Sequence, residues 1–175
     1  MIVLSPIFPK KMLLDADDNR ILQLLQHDAR LNNKEIADKI GKSVTPVYER
    51  IKRLETEGII EKYVALLNKN LIRKSLTAFI HVQLKEHSQS TLKSFHREIV
   101  KFPEVMESYH LTGQFDFLIK VALTDMPEYN DFLMNKLATL KDIHTVQSFF
   151  VLSEGKRETA YALKAPVAKK GAKKK

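Results

Sequence analysis

NNKEIADKIGKSVTPVYERIKRLETEGIIEKYVALLN, residues 32–68, decides the reading of this chain. Asn32 followed by Glu35 has the spacing of a capping box and opens a helix. Ile36, Ala37 and Ile40 form its apolar stripe, and Gly41 ends it, as a residue free to adopt positive φ does. A second helix begins after Lys42-Ser43. Pro46 is tolerated only in its first turn. Val47, Ile51 and Leu54 recur at i, i+4 and i+7 and therefore face inward. Gly58 closes the helix, and Ile59 to Leu66 alternates as a strand or small wing does. Two short amphipathic helices joined at a glycine have the spacing of a helix-turn-helix, the motif whose second helix enters the DNA major groove; three short helices also suit a plain bundle, and the basic outer face and following strand favour the former.

Working outward, Asp15 caps a preceding helix, with Asp18 in the first turn, where carboxylates suit the helix dipole. Ile21, Leu22, Leu24 and Leu25 supply its apolar stripe. On the C-terminal side the period changes near residue 75. Leu76 to Leu84 reads as a strand, and Thr91 to Phe102 as a helix with Leu92, Phe95, Ile99 and Val100 on one side. Val105 to Thr112 and Asp116 to Leu123 read as two strands around a Gly113-Gln114-Phe115 turn. Asp125-Met126-Pro127-Glu128 starts a helix running to about Leu140, and Val146 to Leu152 is a final strand. The order β-α-β-β-α-β is the ferredoxin-like pattern. The fold class is therefore α+β, with a winged helix-turn-helix before a ferredoxin-like module of RAM or ACT type. The expected organisation is an N-terminal extension at 1–12, the DNA-binding domain at 13–63, a linking strand or hinge at 64–75, the ferredoxin-like domain at 76–163 and a basic, disordered tail at 164–175.

The chain has 175 residues, 44% hydrophobic and 29% charged, and no cysteine. That composition suits a globular protein, and absence of cysteine removes disulfide and thiol chemistry. No apolar run reaches the length of about 18 residues that spans a bilayer. MIVLSPIFPKK lacks the positive n-region of a signal peptide, so a cytoplasmic, nucleoid-associated protein is expected. Net charge is +8, but six lysines at 164–175 leave residues 1–163 near +2, so charge alone is a poor argument for a polyanion partner. Its local distribution is better: Lys39, Lys42, Arg50, Lys52 and Arg53 against Glu49 crowd one motif. Ser43, Thr45, Pro46, Glu49 and Arg50 are expected to approach base edges, and Lys42, Lys52, Arg53 and Lys62 to meet phosphates. Arg50 has a second reading, as a brace paired with Glu49, Glu57 or another acid.

LDADDNRILQLLQHDAR (14–30), the opening stretch above, LTGQFDFLIKV (111–121) and DMPEYNDFL (125–133) together resemble the Lrp/AsnC "feast or famine" transcription regulators, over roughly Leu14 to Leu163. The resemblance implies binding of double-stranded DNA, and homodimers paired through their sheets and assembling into octamers. It also implies a small effector, an amino acid, bound between dimers; no cofactor, metal or membrane partner is expected. It places Thr112, Gly113, Gln114, Asp116, Met126 and Val151 at the effector site. Asp116 would accept hydrogen bonds from a ligand ammonium, and Gly113 would let the backbone approach. The family loop is Gly-Asp-Tyr/Phe-Asp, and Gln114 departs from it by removing one negative charge. Each residue also has a plainer reading: a hairpin glycine at 113, a turn cap at 116, core at 126 and 151.

Two other functions compete. Some proteins resembling this family decarboxylate a haem-precursor tetrapyrrole, and His27, His81, His87, His96, His110 and His144 are the side chains for such chemistry, His110 first. They are scattered, with no metal-ligand spacing or nucleophile-base pair, which favours a non-enzyme. The lysine tail fits a sequence-tolerant architectural DNA protein. Phe79, Phe115, Phe117, Phe149 and Phe150 are expected to share a sheet face too aromatic for one module to bury, which motivates assembly.

Overall fold

A computed structural model describes residues 14–163, which fall into two compact units. The first holds three helices, α1 (Ala16–His27), α2 (Asn33–Ile40) and α3 (Val44–Thr56). The expected caps form. Asp15 and Asp18 make a reciprocal capping box at α1, and Asn32 and Glu35 make another at α2. Gly41 turns the chain at φ +68°, a conformation that costs any residue with a Cβ, and α3 restarts within three residues. Ile21, Leu22, Ile36, Ala37, Ile40, Val47, Ile51 and Leu54 form the core that fixes α3 against α1 and α2.

Residues 59–66 depart from the expected strand. No strand forms between Glu61 and Ser75, and the linking segment is irregular, with a turn at 69–73 and Arg73 at φ +56°. A strand needs a partner edge, and the described residues of this unit offer none. Tyr63, Val64, Leu66 and Leu67 are left exposed. The Tyr63 hydroxyl donates to Glu55 on α3 at 2.8 Å. Burial, and then the Glu55 carboxylate, push the phenol up to about 12. By its contacts the segment at 156–163 groups with this unit.

The second unit, 67–155, has the order β1 (Leu76–Leu84), α4 (Gln89–Ile99), β2 (Val105–His110), β3 (Phe117–Leu123), α5 (Met126–Asp131) and β4 (Ile143–Phe150). The sheet is antiparallel with strand order β2-β3-β1-β4, the ferredoxin-like topology. Alternation sends Ala78, Ile80, Val82 and Leu84, with Phe117, Ile119, Val121 and Leu123, into a core shared with Phe95, Ile99, Tyr129 and Phe132. Val100 lies outside this core at 53% exposed, because α4 ends one residue before it. The five phenylalanines do not share a face. Phe79 pairs with Phe149 on the face opposite the core, whereas Phe117 is buried within it and Phe150 packs on Tyr129.

The last helix does not run evenly to Leu140. After α5 the winding widens to a π turn at Phe132–Lys136 and tightens to a 3₁₀ turn at Leu137–Thr139. In an α-helix two residues five apart point about 140° away from each other. Bonds running i to i+5 bring them onto one face, and Phe132 and Leu137 are both fully buried.

Glu128, in the first turn of α5, accepts from Lys74 at 2.7 Å and from the Thr124 N–H at 2.6 Å. The Lys74 ammonium, with Thr124, holds its carboxyl down at about 2, against an ordinary 4.5. A depressed folded-state value stabilises above the ordinary one and is lost as pH falls through the lower one. Glu128→Gln is therefore expected to flatten the stability loss between those two pH values in acid unfolding curves. An unchanged curve would contradict the pairing.

Candidate nucleic-acid interface and effector loop

The outward flank of α3 exposes Thr45, Pro46, Glu49, Lys52 and Arg53, with Lys42 and Ser43 just before it, while Val47, Ile51 and Leu54 lie beneath. Ser43 occupies the N-cap position but its hydroxyl makes no cap bond. In α1, α2, α4 and α5 a side chain fills that role. The first-turn N–H groups of α3 are thus without a side-chain acceptor, the arrangement that suits an incoming phosphate. Lys52 lies over the Tyr48 ring, 6.0 Å from its centre.

The two arginines of α3 are held by acids on α1. Arg50 Nη1 donates to Asp15 at 2.6 Å and to Asp18 at 2.7 Å, and Arg53 Nη2 donates to Asp18 at 2.6 Å. Lys42 pairs with Asp17 at 3.0 Å. Asp18 is 1% exposed and takes one arginine on each oxygen. Burial pushes the Asp15 carboxyl up, but the Asp18 N–H and the Arg50 guanidinium outweigh it and hold it below its ordinary range. Arg50 thus makes bracing pairs, with Asp15 and Asp18 as the acids. The i, i+3 spacing of Arg50 and Arg53 on one helix face was the available signal. The aspartates showed themselves in the sequence only as caps.

At the β2–β3 turn Gly113 takes φ +113°, and a Cβ built there would meet nothing within 4 Å. Positive φ, not a close neighbour within the chain, is what calls for glycine. Thr112 and Gln114 are exposed. Asp116 is turned inward at 8% exposed. Its carboxylate accepts from the Leu84 N–H at 2.8 Å and sits 3.1 Å from His87 Nε2, so its oxygens are already engaged. Met126, half exposed, opens α5, and Val151 bonds through its N–H to Thr77.

These six residues do not meet within one chain. Asp116 bonds to Val82 near one end of β1, and Val151 to Thr77 near the other. Five residue steps along the strand separate these points by roughly 17 Å. Met126 follows Leu123, which pairs with Leu76 at the same end as Val151. His81, His87, His96 and His110 make packing or pairing contacts. His81 contacts the Phe115 and Phe149 rings, and His110 stacks on Phe117. Among the described residues no group of three or more His, Asp or Glu side chains is placed to hold a metal.

Comparison with known proteins matches residues 14–61 to a winged helix-turn-helix DNA-binding model and 77–161 to the Lrp/AsnC ligand-binding domain. The leucine-responsive regulatory protein of Escherichia coli is 33% identical over 151 residues, covering 86% of this chain and 92% of that protein. The chain belongs to the Lrp/AsnC family of transcriptional regulators. Among solved structures, a Neisseria meningitidis regulator in complex with L-Met superposes on this Lrp/AsnC protein with TM-score 0.81 and 35% identity, covering 86% of this chain and 97% of the other. An AsnC-family regulator from Agrobacterium tumefaciens gives 0.81 and 34%, with 85% and 97% covered. AsnC of E. coli gives 0.78 and 26%, over 85% and 97%. This Lrp/AsnC protein is accordingly a DNA-binding transcriptional regulator, and the relatives named are regulators too. No described helix is long and apolar enough to cross a membrane.

Proposed function

We propose that α3 reads duplex DNA in the major groove and that an amino acid bound between copies of the chain tunes that binding. The observation that carries the first part is the exposed flank of α3, with its N-terminal amides uncapped by any side chain and its opposite side locked into the core. Ser43, Thr45, Pro46 and Glu49 approach base edges, with Arg50 set beside them by Asp15 and Asp18. Lys42, Lys52 and Arg53 approach phosphates. The setting is a cytoplasmic, nucleoid-associated regulator.

Support for the second part comes from the separation of Asp116 and Gln114 from Met126 and Val151. A site using both groups has to draw the 112–116 loop from one copy and the 126 and 151 region from another. The sheet face bearing Phe79, His81 and the half-exposed Phe149 offers a surface for pairing copies into a dimer. Dimers then assemble further, to an octamer, and bring effector residues together. The L-Met bound to the Neisseria regulator supports an amino-acid effector. A coupling of about 1–3 kcal/mol between effector and DNA gives a useful response.

Lys52 gives the clean test, because Arg53 also braces Asp18. DNA titrations across several salt concentrations, with and without amino acids, are expected to show Lys52→Gln losing affinity for all sequences alike. Its salt slope should fall by about 0.9 for each phosphate contact removed. An unchanged slope would contradict the phosphate role. Identical curves with every amino acid would contradict the effector.

A further inference from the structure

The segment at 156–163 is fastened to the helix-turn-helix unit. The Gln26 carboxamide on α1 accepts from the Tyr161 N–H at 2.6 Å and donates to the Tyr161 carbonyl at 3.2 Å, bonding both backbone groups of one residue. Leu163 packs against the core of the same unit. Between this segment, α1 and α2 lies an open groove of about 620 Å³, lined among others by Arg20, His27, Lys39 and Lys156. Glu158 is the carboxylate on its wall, and that carboxylate is turned to the N–H groups of Thr159 and Ala160, both at 3.1 Å.

The contrast with α3 is one of compensation. Arg50 and Arg53 share Asp15 and Asp18, and Lys42 has Asp17. Arg20 and Lys39 make no ion pair with a carboxylate among the described residues, and Lys156 has the Glu158 carboxylate as its neighbouring opposite charge. These three cations, gathered from two helices and a latched segment distant in sequence, outnumber the one carboxylate on the wall, so the groove is net positive. The residues that follow, 164–175, carry six lysines and no acid. Such a surface fits a polyanion, and it sits on the unit that already carries α3.

We propose that this groove is a second DNA contact, holding the phosphate backbone of duplex that flanks the stretch read by α3. The contact is sequence-independent, and the Gln26–Tyr161 latch keeps the segment bearing Lys156 on the wall of the groove that Arg20 and Lys39 also line. The proposal rests on α3 reading DNA, and the two fail differently. If α3 does not read bases, the wild-type protein shows no sequence discrimination on any duplex.

The test uses the full chain carrying Arg20→Gln, Lys39→Gln and Lys156→Gln together, all at exposed positions, with an unaltered unfolding transition as the check on folding. Binding is titrated over a range of salt on a long duplex and on one trimmed to the base pairs that α3 discriminates. On the long duplex the salt slope of the triple variant should fall by about 2–3 units, at about 0.9 per phosphate. On the short duplex its slope and sequence preference should match wild type. An unchanged slope on the long duplex overturns the proposal, and so does an equal loss on both lengths.

Discussion

Replacing Asp18 by Asn is expected to destabilise the helix-turn-helix unit by about 2–3 kcal/mol, an effect out of proportion to a change that keeps the side chain's shape. Removing one partner of a buried ion pair costs about 3–5 kcal/mol, because the remaining charges are left without compensation. Arg50 and Arg53 are 29% and 41% exposed, so solvent recovers part of that and the lower figure follows. The Asp18 carboxylate also accepts the Asp15 N–H at 3.1 Å, half of the capping box that opens α1. Urea unfolding of the two proteins measures the difference. A second consequence falls on α3. With Asp18 neutral, Arg50 and Arg53 are no longer held in one geometry, and the ratio of specific to non-specific DNA affinity should drop. A stability loss below about 0.5 kcal/mol, the scale of an exposed pair, would mean that the buried aspartate is not the anchor described here.

Phe117→Ala is expected to cost still more, about 3–5 kcal/mol, as large aromatic truncations in a packed core do. Phe117 begins β3, a central strand, and is 1% exposed. Its ring lies 4.7 Å from that of Phe95 on α4 and 5.1 Å from that of His110 on β2, so the cavity would open between helix and sheet. Phe115, two residues earlier and only partly buried, faces His81 outside this core, and its truncation in the same chain should cost much less. Thermal unfolding of the two alanine variants checks the ordering. Equal losses would contradict the assignment of the two rings to different faces.

What could be read from the sequence divides by the range of the interaction concerned. The caps at Asp15 and Asn32, the turn at Gly41, the buried stripe Val47–Ile51–Leu54 and the helix start at Asp125 all rest on residues within one or two turns of each other. Each is present in the structure. The order of strands and helices followed from the same local patterns. What escaped depends on partners far along the chain. Arg50 and Arg53 meet acids 32 and 35 positions away, and nothing near α3 names those acids. Residues 59–66 alternate as a strand does, yet a strand exists only against another edge. The five phenylalanines could not be sorted between faces before register was known. Phe79 opposite Phe149 and Phe117 opposite Val82 fix that sorting. For the candidate site, the outward flank of α3 was legible because its inward side was. The inward turn of Asp116 toward Leu84 and His87 was not, since both partners come from the end of β1 and the loop after it.

Sequence recognition by this protein rests on α3 reading bases with its exposed first turns. Selection of bound sequences from a pool of random duplexes, with the wild-type chain and with Thr45→Ala combined with Glu49→Gln, tests this directly. Both positions are exposed, so the double variant keeps the core intact. The wild type should enrich one motif, and the variant should lose or exchange preference at a few base pairs within it while still binding DNA. Enrichment of the same motif by both proteins, to the same degree at every position, would contradict the account.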